Sequence, residues 1–381
     1  MRIVAFSEAD GRHLGIVEGD AAPPGAGGPP GAGAPPGASA PVGDLRVADV
    51  TAADPTLPRS LVALLSGAGL RALDAARASA PRRPLAELWL LAPLARPPKF
   101  LAIGLNYRDH IAETGQAPPD HQLWFNKQST CVVGPGAPIE VPRASEQVDY
   151  EGELGLVIGR RCRHVPASRA AEVVAGYLVV NDVSVRDWQR RGPTMTMGKS
   201  WDTHGPIGPW LVTGDEVGDP HALRIRTWVN DELRQDGTTA DLIFDCWKMI
   251  EHLSTAFTLE PGDVISTGTP AGVGAARTPP AWLRPGDTVS VTVEGVGTLQ
   301  NPVVAERDDR PTGLDPTPPT GSQMKDSTPH EEKLVSTMAG DGRTQHPPAR
   351  RAAQVTPAGA RLVPSRAGRH GRTGRRPDQP L

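Results

Sequence analysis

Between residues 99 and 304 the apolar residues come in short runs, each broken by Gly, Pro, Asn or Asp. Leu154–Ile158 and Leu178–Val180 read as buried strands. The turn Pro261-Gly262-Asp263 precedes a strand over Val264–Thr267, and Pro285-Gly286-Asp287 precedes another over Thr288–Glu294. In the latter, Val289, Val291 and Val293 alternate with polar residues, which predicts one buried face. Helical signals are few. Ser168 is placed to cap a short helix from Arg169 to Ala175 that Gly176 ends. Cys246, Ile250, Leu253 and Phe257 recur at helical spacing within residues 240–258. Many strands and few helices predict a mixed, β-rich α+β fold.

The rest of the chain divides around this region. Residues 1–20 read as a hairpin turning at Asp10-Gly11. Residues 21–43 are, apart from Ser39 and Val42, all Pro, Gly and Ala, too little to bury a core, and predict a flexible loop. A helix near Leu61–Ala78 and a strand near Leu88–Leu91 follow, and Pro93, Pro97 and Pro98 mark a linker. The expectation is a small N-terminal accessory domain over 1–95, a catalytic domain over 99–304 and a disordered basic tail over 305–381. From residue 341 on the tail holds nine Arg against two Asp. A carboxylate by Glu8 and the lack of any long apolar run predict no secretory leader and no membrane partner. Cys131, Cys162 and Cys246 form no CxxC pair and suit a reducing cytoplasm as small buried residues.

The chemistry concentrates at Asp149-Tyr150-Glu151-Gly152-Glu153, which leads into Leu154-Gly155-Leu156-Val157-Ile158. In a strand, residues i and i+2 share a face. Two like charges on one face at the head of a buried run repel each other and are costly to desolvate, and a divalent cation offsets both penalties. All-oxygen ligation favours Mg²⁺ or Mn²⁺, with Ca²⁺ as a third option, over zinc. Asp182, ending the run Leu178-Val179-Val180-Asn181, offers a third acid. Spacing alone also allows a solvent-facing edge for the two Glu and a turn or cap role for Asp182. His110 and Glu113 are i and i+3, so on a helix they share a face, as a solvated pair or as a functional one. Gly198-Lys199-Ser200 is no phosphate loop, because position 193 is Pro where that motif needs Gly. Arg186 and Asp187 read as a structural ion pair, and His204 as a packing residue.

The segments DYEGELGLVIG and VVNDVSVRD resemble the fumarylacetoacetate hydrolase family, as do KFLAIGLNYRDHIAETG, GKSWDTHGPIGPWLV, IEHLSTAFTLEPGDVISTGTPAGVG and LRPGDTVSVTVEGVG. They occur in order across 99–304. The resemblance implies that family's β-roll, usually as a homodimer, with Glu151, Glu153 and Asp182 as metal ligands. It implies His110 and Glu113 on a lid helix that activates water, and Lys199 stabilising the anion formed on substrate. Gln189, Thr269 and Tyr107 correspond to substrate contacts, and Lys127 sits where the family usually has Lys-Pro, with Gln128 departing from that pattern.

The function expected is divalent-metal-dependent hydrolysis of a carbon–carbon bond in a small diketo acid, of acylpyruvate or fumarylacetoacetate type, through a metal-stabilised enolate. The alternatives are an isomerase or decarboxylase of a 2-oxo or hydroxymuconate-type diacid in aromatic catabolism, or a hydrolase or lyase of sugar-acid degradation. A non-enzymatic alternative is a catalytically idle relative with a nucleic-acid-binding tail, although intact site residues argue against a nucleic-acid partner.

Overall fold

The structure, a computed structural model, describes residues 1–19 and 45–307. The Pro/Gly/Ala insert and nearly all of the basic tail lie outside the described residues. A 12-stranded sheet dominates. Its central run, in hydrogen-bonded order, is Arg2–Glu8, Gly205–Val212, Val174–Asn181, Gly152–Ile158, Val264–Ser266, Phe100–Gly104 and Leu123–Lys127. A five-stranded sheet contains Arg224–Val229, Glu232–Thr238, Thr288–Val293, Gly297–Ala305 and Ile139–Val141. This is the mixed α+β, sheet-rich architecture the short apolar runs predict.

The strand Gly152–Ile158 is buried along its whole length. Leu154, Leu156 and Ile158 point into a core shared with Val289, Val291 and Val293 of the smaller sheet. Val157 points the other way, into a core shared with Leu178, Val180 and the N-terminal Leu61, Leu64 and Leu73. A strand covered on both faces needs a continuous apolar run rather than alternation. Burying each of these large aliphatic side chains contributes about 1.5–3 kcal/mol. Side-chain alternation then puts Glu151 and Glu153 on the Val157 side, at the strand's N-terminal end.

The N-terminal strands continue the large sheet, with Arg2 opposite Val212 and Ile3 opposite Leu211. The hairpin connects through Ala9 and Asp10, and Gly11, at φ 117°, opens the second strand opposite Glu8. The single helix expected near Leu61–Ala78 is two, Leu61–Ser66 and Leu70–Arg77, because Gly67 caps the first and Gly69, at φ 72°, turns the chain between them. The helix expected from Arg169 to Ala175 is a 3-10 segment, Ala167–Val173, entered from Pro166 rather than capped by Ser168. Gly176 lies inside the next strand, opposite Val157. The helix within 240–258 is Cys246–Ala256, started by the Asp245 carboxylate accepting from Lys248 N–H, and Phe257 falls past its end, partly exposed. Thr288–Val293 buries its polar face as well as its valine face, since Ser290 accepts from Gln300 and Thr292 bonds Thr298. Among the described residues, no helix is long and apolar enough to cross a membrane.

Candidate metal and catalytic site

Strand register assembles the acids. Gly152 pairs with Asn181 and Glu153 with Val180, so Asp182 falls opposite Glu151, and its N–H donates to the Glu151 carbonyl at 2.8 Å. Carboxylate oxygens of Glu151, Glu153 and Asp182 lie within 4.8 Å of one another, and all three residues are buried. Gly152 between the two Glu is required by the smaller sheet: a Cβ there would lie 2.2 Å from Thr227 Oγ1 and 2.9 Å from Val291.

Three cations reach this cluster. Lys199 Nζ bonds Glu151 Oε2 and, at 2.8 Å, Asp182 Oδ2. Lys127 Nζ donates to Asp182 Oδ1 at 2.7 Å and to the Lys199 carbonyl. Arg186 bridges Glu151 Oε1 and Asp149 Oδ2, each at 2.7 Å. Burial works against the Glu151 charge, but Lys199 and Arg186 outweigh it and hold that carboxyl below the ordinary range. Burial likewise opposes the Lys199 charge, and Asp182 and Glu151 outweigh it, so Lys199 stays an ammonium.

Glu153 differs. Its Oε2 accepts from the Ser266 hydroxyl and from Gly268 N–H, and among the described residues it forms no ion pair. Burial, then the charges of Asp182 and Glu151, push its carboxyl well above the ordinary range. The Tyr107 hydroxyl, fully buried within the field of Glu153, makes no hydrogen bond of good geometry. Four buried carboxylates, counting Asp149, face three cations. An all-oxygen cluster with one uncompensated acid fits a hard divalent cation.

The helix Arg108–Thr114 carries His110 and Glu113. Glu113 Oε2 accepts from His110 Nδ1 at 3.1 Å, and Glu113 Oε1 accepts from Gly272 N–H at 2.8 Å. The Glu113 carboxylate therefore selects the Nδ1–H tautomer and leaves the lone pair on Nε2. His110 is also among the groups that lower the Glu151 carboxyl, which puts the dyad within the field of the acid cluster.

A model of the fumarylacetoacetate (FAA) hydrolase C-terminal domain matches residues 99–304. The chain belongs to the fumarylacetoacetate hydrolase family. Among its relatives is the mitochondrial oxaloacetate tautomerase Fahd2a of Rattus norvegicus, 41% identical over 263 residues, which are 68% of this chain and 84% of the relative. Two solved structures share the fold. The 5-carboxymethyl-2-hydroxymuconate delta-isomerase from Mycobacterium smegmatis is 36% identical with a TM-score of 0.60, covering 80% of this chain and 100% of the other. The maleylpyruvate hydrolase from Sphingobium sp. SYK-6, in complex with manganese(II) and pyruvate, is 32% identical with a TM-score of 0.62, covering 81% and 100%. Members of the family thus include both hydrolases and isomerases.

Of the residues singled out from the sequence of this family member, Glu151, Glu153, Asp182 and Lys199 meet in one buried cluster. Gly198 lets Lys199 in, because a Cβ there would lie 2.4 Å from the Gln189 backbone. Gln189 accepts from Arg186 Nη1 at 3.0 Å, one residue removed from the acids. The Thr269 hydroxyl is engaged on both sides, donating to the Gly152 carbonyl at 3.0 Å and accepting from Gln235 at 2.7 Å. His204 lies elsewhere, bonded through Nε2 to the Glu140 carbonyl at 2.8 Å. Arg186 does not pair with Asp187, because its guanidinium turns inward to Asp149 and Glu151, while Asp187 takes Ser145 and Arg191. Sequence reasoning missed Arg186 and Lys127 as members of the cluster. No spacing signals them: Arg186 pairs with Asp149 and Glu151, 37 and 35 residues back, and Lys127 with Asp182, 55 residues on.

Proposed function

We propose that this protein is a divalent-metal-dependent enzyme that hydrolyses a carbon–carbon bond in a small diketo acid, of acylpyruvate or fumarylacetoacetate type. The observation that carries the reading is the His110–Glu113 dyad fixed beside a three-acid cluster with one uncompensated carboxyl. A divalent cation held by Glu151, Glu153 and Asp182 would supply a Lewis acid that polarises the 2-oxo carbonyl.

His110 Nε2 takes a proton from water, and the hydroxide oxygen bonds to the distal carbonyl carbon. Glu113 stabilises the imidazolium that forms, because its Oε2 already accepts the Nδ1 proton. The carbon–carbon bond then breaks, and its electron pair passes to the pyruvyl side as an enolate. Lys199 is a buried ammonium positioned to stabilise that anion, and a fixed cation in a water-poor site acts without reorganising. The enolate regains a proton as the 2-oxo acid, and the other fragment leaves as a carboxylic acid. Tyr107, Gln189 and Thr269 frame the substrate in this reading.

Keto–enol tautomerisation of an oxo diacid is the second reading, supported by the 41% identity to an oxaloacetate tautomerase. There His110 Nε2 would move a carbon-bound proton instead of a water proton. Assays of the full chain with Mg²⁺ or Mn²⁺ against acylpyruvates and oxaloacetate separate the two. Release of two acids supports hydrolysis, and exchange of the oxaloacetate C3 proton without cleavage supports the tautomerase. Activity that survives exhaustive chelation and the Glu153→Ala change would overturn both.

A further inference from the structure

Glu151 and Glu153 are joined by a residue with no side chain to restrain it. Glycine is the freest backbone unit, and a Cβ at position 152 is barred by Thr227 at 2.2 Å. Any rotation of the Gly152 peptide groups would tilt the two carboxylates against each other. The ladder to the neighbouring strand Val264–Ser266 offers no restraint there, since its register begins at Gly155 opposite Ser266.

On its other side Gly152 pairs with Asn181, while its own N–H and C=O are held by Gln235 of the smaller sheet and by Thr269. Gln235, on the strand Glu232–Thr238, is buried with its amide fully engaged. Its Oε1 accepts from Gly152 N–H at 2.9 Å, and its Nε2 donates to Thr269 Oγ1 at 2.7 Å and to the Pro270 carbonyl at 2.8 Å. Thr269 Oγ1 donates in turn to the Gly152 carbonyl at 3.0 Å. The N–H and C=O of Gly152 are thus the two ends of one closed ring through two side chains. The same loop then holds the dyad helix, through Ala271 N–H on Asp109 and Gly272 N–H on Glu113.

We propose that Gln235 is a positioning residue that, with Thr269, clamps the Gly152 peptide and so sets the mutual orientation of the two glutamates toward a divalent cation. The proposal rests on the metal reading above. Orienting contacts of this kind typically change metal affinity about 10- to 100-fold when removed.

The test titrates Mn²⁺ into the full-length protein and follows its electron paramagnetic resonance line shape. Glu153→Gln serves as the reference for the metal site. Gln235→Met keeps the volume and removes all three hydrogen bonds. Thr269→Val opens the ring from the other side and decides the matter where Gln235→Met fails to fold. Glu153→Gln abolishes Mn²⁺ binding, while each ring variant weakens it about 10- to 100-fold with an altered line shape. The double variant is no weaker than the worse single one, because the two residues act as one unit. A lowered thermal midpoint with wild-type Mn²⁺ affinity and line shape in the ring variants would overturn the positioning role. Undiminished Mn²⁺ binding by Glu153→Gln would overturn the metal reading, and the clamp with it.

Discussion

Asp149 and Glu153 stand four residues apart and are almost equally buried, at 0% and 2% exposure, yet they are held in opposite ways. Asp149 is saturated: Arg186 meets it through two nitrogens, and the N–H groups of Tyr150, Gly274 and Ala275 donate to it at 2.7–2.9 Å. Glu153 has one hydroxyl and one N–H, and it faces two other acids. A buried acid kept for structure is given its counter-charge by the fold. A buried acid left short of one is poised for a charge from outside.

Glu153→Gln removes an acid whose ionised form burial, Asp182 and Glu151 disfavour, so activity falls about 10³- to 10⁴-fold, about 4–5 kcal/mol, while thermal stability without metal holds or rises. Steady-state kinetics and calorimetric melting of the metal-free protein check both halves. Asp149→Asn is the converse. It leaves Arg186 with Glu151 alone, breaks a buried ion pair and costs about 3 kcal/mol of folding stability by denaturant titration, with turnover of the remaining folded protein reduced far less than in Glu153→Gln.

His204 is a buried group outside the site. Burial lowers its pKa from 6.5 to about 4. Between those values the unfolded chain binds the proton and the folded chain does not, so stability is full above about pH 6.5 and declines as pH falls toward 4. The loss from this group is at most about 3 kcal/mol. In His204→Phe the slope of stability against pH flattens across that window, and turnover near neutral pH is retained. His110→Gln, the smallest of the four, lowers kcat about 100-fold with little change in Mn²⁺ affinity. Equal losses in both would move His110 from proton transfer to metal binding.

The chain declared its acids openly. Carboxylates at the head of an apolar run are costly enough to need a reason, so Glu151, Glu153 and Asp182 were legible as candidates on that ground, and as metal ligands only through the family resemblance. Their neutralisers were not, because Lys127 and Arg186 reach the cluster through tertiary packing that no spacing encodes. Gln235 was hidden for the same reason: a buried amide that clamps a distant peptide leaves no periodicity. Alternation misled at Thr288–Val293, where Ser290 and Thr292 are buried by pairing with Gln300 and Thr298. Small hydroxyls that satisfy each other look in sequence like a wet face. The break between the N-terminal helices was readable at Gly67 and Gly69, where the leucine periodicity masked it.

Glu153 is short of a partner charge, one that a divalent cation would supply. Crystals grown with Mn²⁺ and measured for anomalous scattering test it most directly. One strong peak is expected about 2.1 Å from oxygens of Glu151, Glu153 and Asp182. An empty cluster at saturating Mn²⁺, with Lys199 still seated on Glu151 and Asp182, would contradict it.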